Sequence, residues 1–130
     1  MSEIQLGQYN EGISSLEKAI DLKPDYVQAY NNLGILWTKK GQYELAIEQF
    51  ETAIAFDNEH IHSINNLGYT LLKTKKNQLA LETFKESYAL NEKNIDTILG
   101  LALAYKNNEN FDEAIALYKK TSNLGINKSR

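Results

Sequence analysis

The chain carries two histidines, His60 and His62, and no cysteine, so disulfides, thiolate metal ligands and a thiol nucleophile are excluded from the start. The histidines stand two residues apart. On a helix that spacing sends them to different sides, whereas a helical metal pair needs three or four, so they read as solvated residues at a helix start. The carboxylates are scattered, no Gly-rich phosphate loop is present, and no Ser has a base at a recognisable spacing. The sequence predicts a protein that is not an enzyme and takes no metal or cofactor. The chemistry that recurs is carboxamide hydrogen bonding: Asn31-Asn32 precedes Leu33-Gly34, and Asn65-Asn66 precedes Leu67-Gly68. Asn is a poor helix former, so two of them placed twice inside a helical pattern need a reason. An amide offers both a donor and an acceptor and can bond the peptide unit of an extended chain without reading its side chains. The alternative is that these amides satisfy neighbouring helices or face water.

The segments that hold these residues are near-copies. AYNNLGILWTKKGQYELAIEQFETAI starts at Ala29 and SINNLGYTLLKTKKNQLALETFKESY at Ser63, an offset of 34, the size of a stacked supersecondary unit. The columns recur a third time: Leu33, Leu67 and Leu101; Gly34, Gly68 and Ala102; Ala46, Ala80 and Ala114; Phe50, Phe84 and Tyr118. One register earlier, Tyr9, Gly12, Ile13, Leu16, Ala19 and Ile20 match the second half of a unit. Within each unit, apolar residues fall at steps of three and four (Tyr30, Leu33, Trp37, then Tyr43, Ala46, Ile47, Phe50, Ile54), which predicts two amphipathic helices. Between them, Gly41 supplies a left-handed residue to end the first helix, and the short turn makes the pair antiparallel. Lys23-Pro24-Asp25, Asp57-Asn58-Glu59 and Asn91-Glu92-Lys93-Asn94 are read as helix-start signals at the unit boundaries, with Pro in a first turn. The small columns let paired backbones approach, with the aromatic column filling the space beside them. The resulting division is one domain over 1–130: a half unit at 1–24, full units at 25–58, 59–92 and 93–126, and a tail at 127–130.

These residues resemble the tetratricopeptide repeat family, whose pattern W-x2-L-G-x2-Y, then A-x3-F and a closing P, has this period. The second unit reads Tyr30-x2-Leu33-Gly34-x2-Trp37, then Ala46-x3-Phe50, with the two aromatic slots exchanged and Asn58 where the Pro stands. Ile64 and Leu71, then Ile98 and Tyr105, take the aromatic slots of the later units. The resemblance implies an all-α, right-handed α-solenoid of antiparallel helix pairs, in which the first helix of each pair lines a concave groove that binds peptides or partner proteins. On that basis Asn32 and Asn66 resemble an asparagine ladder for an extended polypeptide, with Asn31 and Asn65 beside them in the expected groove. Ile35, Tyr69 and Leu103 would form an apolar floor, beside a row of ammonium groups from Lys39, Lys73 and Lys106. The ladder stops at Leu99-Gly100. The subtype that clamps a C-terminal carboxylate is not expected, since Asn31, Ile35, Asn66, Asp96 and Gly100 supply no cation where it needs one.

The second helices carry Glu44, Glu48, Glu51, Glu82, Glu86 and Glu113, so charge separates between the two layers. With a net charge of −3, a ligand with apolar anchors and acidic character fits the groove, whereas nucleic acid, which needs a strong basic excess, does not. No signal-like or membrane-spanning stretch occurs; the expected compartment is the cytoplasm, without membrane insertion. The partner expected is a protein or peptide. The rival reading is a structural spacer or oligomerisation segment of a larger repeat protein with no groove ligand. The first recognisable helix, about Tyr9 to Leu22, lacks the helix that precedes it in a full unit, with Glu3 to Leu6 as that helix's last turn. Ile13, Leu16 and Ile20 would then be an uncovered socket for self-association, as in a segment cut from a longer chain. At the other end, Ala53, Ser87, Thr121 and Ile54, Tyr88, Ser122 grow more polar, as at a stop.

Overall fold

In the computed structural model, which describes residues 1–128, seven helices follow one another: α1 Glu3–Leu22, α2 Val27–Lys39, α3 Tyr43–Phe56, α4 Ile61–Lys73, α5 Asn77–Leu90, α6 Ile95–Asn107 and α7 Phe111–Lys128. The 34-residue spacing has become three antiparallel pairs, α2 with α3, α4 with α5 and α6 with α7, preceded by α1. Each helix packs on the next. In addition α2 touches α4 and α4 touches α6, while α3 and α5 have no such contact. The layer α2, α4, α6 is therefore the inner, concave side of an all-α solenoid. α7 runs to Lys128, so the boundary expected at 126 falls inside a helix.

The turns show why the units end where they do. Gly41 takes φ 77°, and at the same register Lys75 and Glu109 both take φ 63°, a left-handed conformation that costs a residue with a Cβ about 1 kcal/mol. The period fixes the turn even where glycine has been lost. Pro24 sits in the loop between α1 and α2, not in a first helical turn, and α2 starts after Tyr26 without a side-chain cap. Asp57 and Asn91 instead accept from the backbone N–H two residues on, at 3.0 and 2.9 Å. The caps are His60, whose Nδ1 accepts from Ser63 N at 3.3 Å, and Asn94, whose Oδ1 accepts from Thr97 N at 3.0 Å.

The small columns behave as expected. A Cβ on Gly34 would overlap the Phe50 ring, and one on Gly68 would overlap Phe84. Ala46, Ala80, Phe50 and Phe84 are fully buried. Gly100 makes a further contact outside the small columns, because the Phe84 ring lies against it as well. Phe84 is thus wedged between α4 and α6.

Both ends of the stack reverse the expectation. Glu3 to Leu6 are the first turn of α1 itself, closed by a capping box in which Ser2 Oγ accepts from Gln5 N at 3.2 Å. Ile13 is not an uncovered socket: it is 6% exposed, because α2 packs on the α1 face that carries it. Leu16 and Ile20 are half-buried. The middle of α1 shows Asn10, Glu11, Ser14, Ser15 and Lys18 outward, all polar, as in a capping helix, while Ile4 and Leu22 at its two ends are exposed at 75% and 90%. At the other end, Phe111, Ile115 and Tyr118 are 55%, 51% and 41% exposed. The counterparts of Ile115 and Tyr118, which are Ile47, Leu81, Phe50 and Phe84, are buried by the helix that follows, and those of Phe111, Tyr43 and Asn77, are half-buried. The apolar end is therefore α7.

Candidate functional site

Between α2 and α4 the concave face opens into a cavity of about 180 Å³. α2 contributes Ile35, Thr38 and Lys39, and α4 contributes Asn66, Tyr69, Thr70 and Lys73, with Phe50 of α3 beneath. These residues meet because i, i+3, i+4 and i+7 positions share a helix face and because the 34-residue repeat sets two such faces side by side. The lining is mainly apolar. Its threonine hydroxyls are already used within their own helices: Thr38 Oγ1 donates to the Gly34 carbonyl at 2.9 Å and Thr70 Oγ1 to the Asn66 carbonyl at 2.8 Å.

Two ammonium groups stand at this cavity. Lys39 Nζ lies 6.0 Å from the centre of the Tyr9 ring and Lys73 Nζ 5.9 Å from that of Tyr43, one contact repeated at the unit offset. At that distance the ring quadrupole orients a cation without neutralising it. Among the described residues neither lysine has a carboxylate partner, the ion pair present being Lys76 with Glu44 at 3.4 Å.

The asparagines divide into two roles. Asn31 and Asn65 are buried, at 3% and 6% exposure, so the structure removes them from the groove surface. Asn31 Oδ1 accepts from Asn66 Nδ2 at 3.0 Å, and Asn65 Oδ1 accepts from Thr97 Oγ1 at 3.0 Å, with Ser87 Oγ 2.8 Å from the same Thr97 oxygen. Buried amides need partners, and here they bridge consecutive units. Asn66 remains at the cavity, held by Asn31 and keeping its Oδ1 and a second N–H for other bonds. Asn32, next to Asn31 in sequence and the counterpart of Asn66, is half-buried but outside the cavity, its Oδ1 accepting from Gln28 Nε2 at 3.0 Å.

Tyr69 is both wall and strut. Its hydroxyl donates to the Asp96 carbonyl at 2.9 Å and its ring meets Phe84 edge-on at 4.9 Å. Burial, then the charge of Asp96 and then Tyr118, push its phenol from 10 up to about 12. A raised folded-state pKa means that the folded chain holds this proton more tightly than the unfolded chain. The contribution to stability is complete below pH 10 and fades as pH rises through about 12. In a spectrophotometric alkaline titration of the eight tyrosines, Tyr69→Phe should remove the last step; persistence of that step would assign it elsewhere.

Leu103 and Lys106 do not join the cavity. Leu103 is half-buried against the core cluster of α4, α5 and α6, and Lys106 is exposed at the register of Thr38 and Leu72, not that of Lys39 and Lys73. At the α4–α6 junction Gly100 replaces the Asn66 position and the Phe84 ring occupies the space. The structure therefore brings together Ile35, Lys39, Asn66, Tyr69 and Lys73. It adds Phe50 and Thr70, which the sequence pattern marked only as packing and did not mark at all, respectively. The periodicity of the Lys and Tyr columns was the signal available for the lysine seats.

Family comparisons agree with this architecture. One family model described as TPR repeat matches residues 2–39, and two described as Tetratricopeptide repeat match residues 27–60 and 71–124. The chain belongs to the tetratricopeptide repeat family. Among solved structures, this tetratricopeptide chain shares its fold with MamA, at a TM-score of 0.83 and 24% identity over 91% of this chain and 69% of that one. The MamA segment 41-end from Desulfovibrio magneticus RS-1 gives 0.85 and 19% over 96% and 71%. YrrB, described as a TPR protein with an unusual peptide-binding site, gives 0.78 and 23% over 92% of this chain and 61% of that one. No curated protein sequence matches the chain. No described helix is long and apolar enough to cross a membrane.

Proposed function

We propose that this tetratricopeptide stack is a non-catalytic interaction module that holds an extended polypeptide segment in the groove between α2 and α4. The observation that carries the reading is the pairing of an apolar cavity floor with two cations, Lys39 and Lys73, that no carboxylate among the described residues neutralises. An apolar side chain would enter over Ile35 and Phe50, neighbouring acidic groups would meet the ammonium groups, and the free edge of Asn66 would bond the peptide backbone. The peptide-binding site named for YrrB supports the same class of ligand.

The test is fluorescence anisotropy with two labelled synthetic peptides of equal length, one alternating Leu with Glu and one alternating Leu with Lys. The acidic peptide is expected to bind and to weaken as salt is raised. Lys39→Glu with Lys73→Glu should weaken it by about tenfold or more, equivalent to about 1.4 kcal/mol. Asn66→Ala should cost about 1 kcal/mol, one neutral hydrogen bond. Equal affinity for both peptides would overturn the role of the two lysines, and binding of neither would leave the stack a spacer.

A further inference from the structure

We infer that the chain forms a two-fold dimer through the outward face of α7, with a second copy of α7 lying antiparallel on Phe111, Ile115 and Tyr118. In every earlier unit the corresponding face is closed by the next helix of the inner layer. Ile13 is covered by α2, Ile47 lies under α4, and Leu81 lies under α6. The aromatic column shows it most clearly: Phe84 is gripped between α4 and α6, whereas Tyr118, with α6 on one side, is 41% exposed on the other. Phe111, Ile115 and Tyr118 stand at steps of four and three, which makes one stripe along the helix.

The occupant follows from the charges at the edge of that stripe. Asp112 and Lys119 are two turns apart, flank the stripe on the same side and are both exposed. In an antiparallel pair centred on Ile115, Phe111 faces Tyr118 of the second copy, Ile115 faces its own image, and Asp112 faces Lys119 of the second copy. The symmetry repeats that ion pair on the other half. A two-fold interface must be complementary to itself, and among the second helices this pattern belongs to α7 alone. The same two positions hold Asn10 and Glu17 in α1, Glu44 and Glu51 in α3, and Gln78 and Lys85 in α5. Paired with themselves, the α3 positions repel and those of α1 and α5 gain nothing comparable.

The experiment is sedimentation equilibrium of the full chain and three variants at tens of micromolar, with far-ultraviolet circular dichroism to confirm folding. The wild type should sediment at twice 14.8 kDa. Asp112→Lys alone sets Lys against Lys twice, and Lys119→Glu alone sets Asp against Glu twice, so each should raise the dimer Kd by about tenfold or more. An equimolar mixture of those two variants restores both pairs and should recover a heterodimer. Ile115→Glu should give a folded monomer, since the side chain is half exposed within one chain. A monomeric wild type, masses that climb beyond the dimer as in a head-to-tail array, dimers indifferent to the charge changes, or a mixture without recovery would each overturn the inference.

Discussion

Phe84→Ala is expected to cost about 3–5 kcal/mol, the range for deleting a buried aromatic and leaving its cavity behind. The ring is fully buried, lies against Gly68 and Gly100 and supports the edge of Tyr69. These neighbours are two backbone surfaces of helices whose spacing is set elsewhere, so the site cannot collapse around an alanine. A domain of this size has a total stability of about 5–15 kcal/mol, and the loss would fall at the centre of the stack. Because each unit contacts only its neighbours, coupling across α4 and α6 would weaken and the transition should broaden as well as shift. Urea unfolding followed by circular dichroism measures both. A change below about 1 kcal/mol would mean that Phe84 is not the wedge between these helices.

Gly100→Asn, which would extend the asparagine register into the last unit, is expected to destabilise by about 1–3 kcal/mol, the range for forcing bulk into a filled interior. Helix propensity alone argues the other way, since Asn is a few tenths of a kcal/mol better than Gly in a helix. Overlap with the Phe84 ring outweighs it. Gly7→Ala is the control: a Cβ there meets nothing within 4 Å, so removing the flexibility of glycine from α1 should stabilise by about 0.5–1 kcal/mol. Thermal melts of the two variants should move in opposite directions. Two shifts of the same sign would contradict the placement of the ring.

The repeat period, the helix pairs and the core columns were legible because duplication writes the same packing problem several times. Leu33, Leu101, Ala46, Ala80, Phe50 and Phe84 are all buried where their columns place them. The site was half legible. An amphipathic reading gives each helix one buried face and one free face, but α2, α4 and α6 have neighbours on several sides, so little of each faces the groove. Asn31 and Asn32 differ by one residue, about 100° of rotation, and that sends the first inward to meet Asn66 and the second outward to Gln28. The ends were misjudged for a related reason. Thr121 and Ser122 make the end of the chain read as polar, whereas the exposed stripe consists of Phe111, Ile115 and Tyr118. At the start of the chain, α2 covers Ile13 from the side that the missing helix left out of consideration.

The bonds from Asn66 to Asn31 and from Thr97 to Asn65 have a mechanical meaning. Apolar contacts are non-directional and let packed helices slide, whereas a hydrogen bond holds its length within a few tenths of an ångström and tolerates little bending. With one such bond at the α2–α4 joint and another at the α4–α6 joint, at 3.0 Å in both places, the angle between successive units is pinned. The stack then behaves as a bar with stiff joints instead of a spring, and the spacing between Lys39 and Lys73 is held as a fixed gauge.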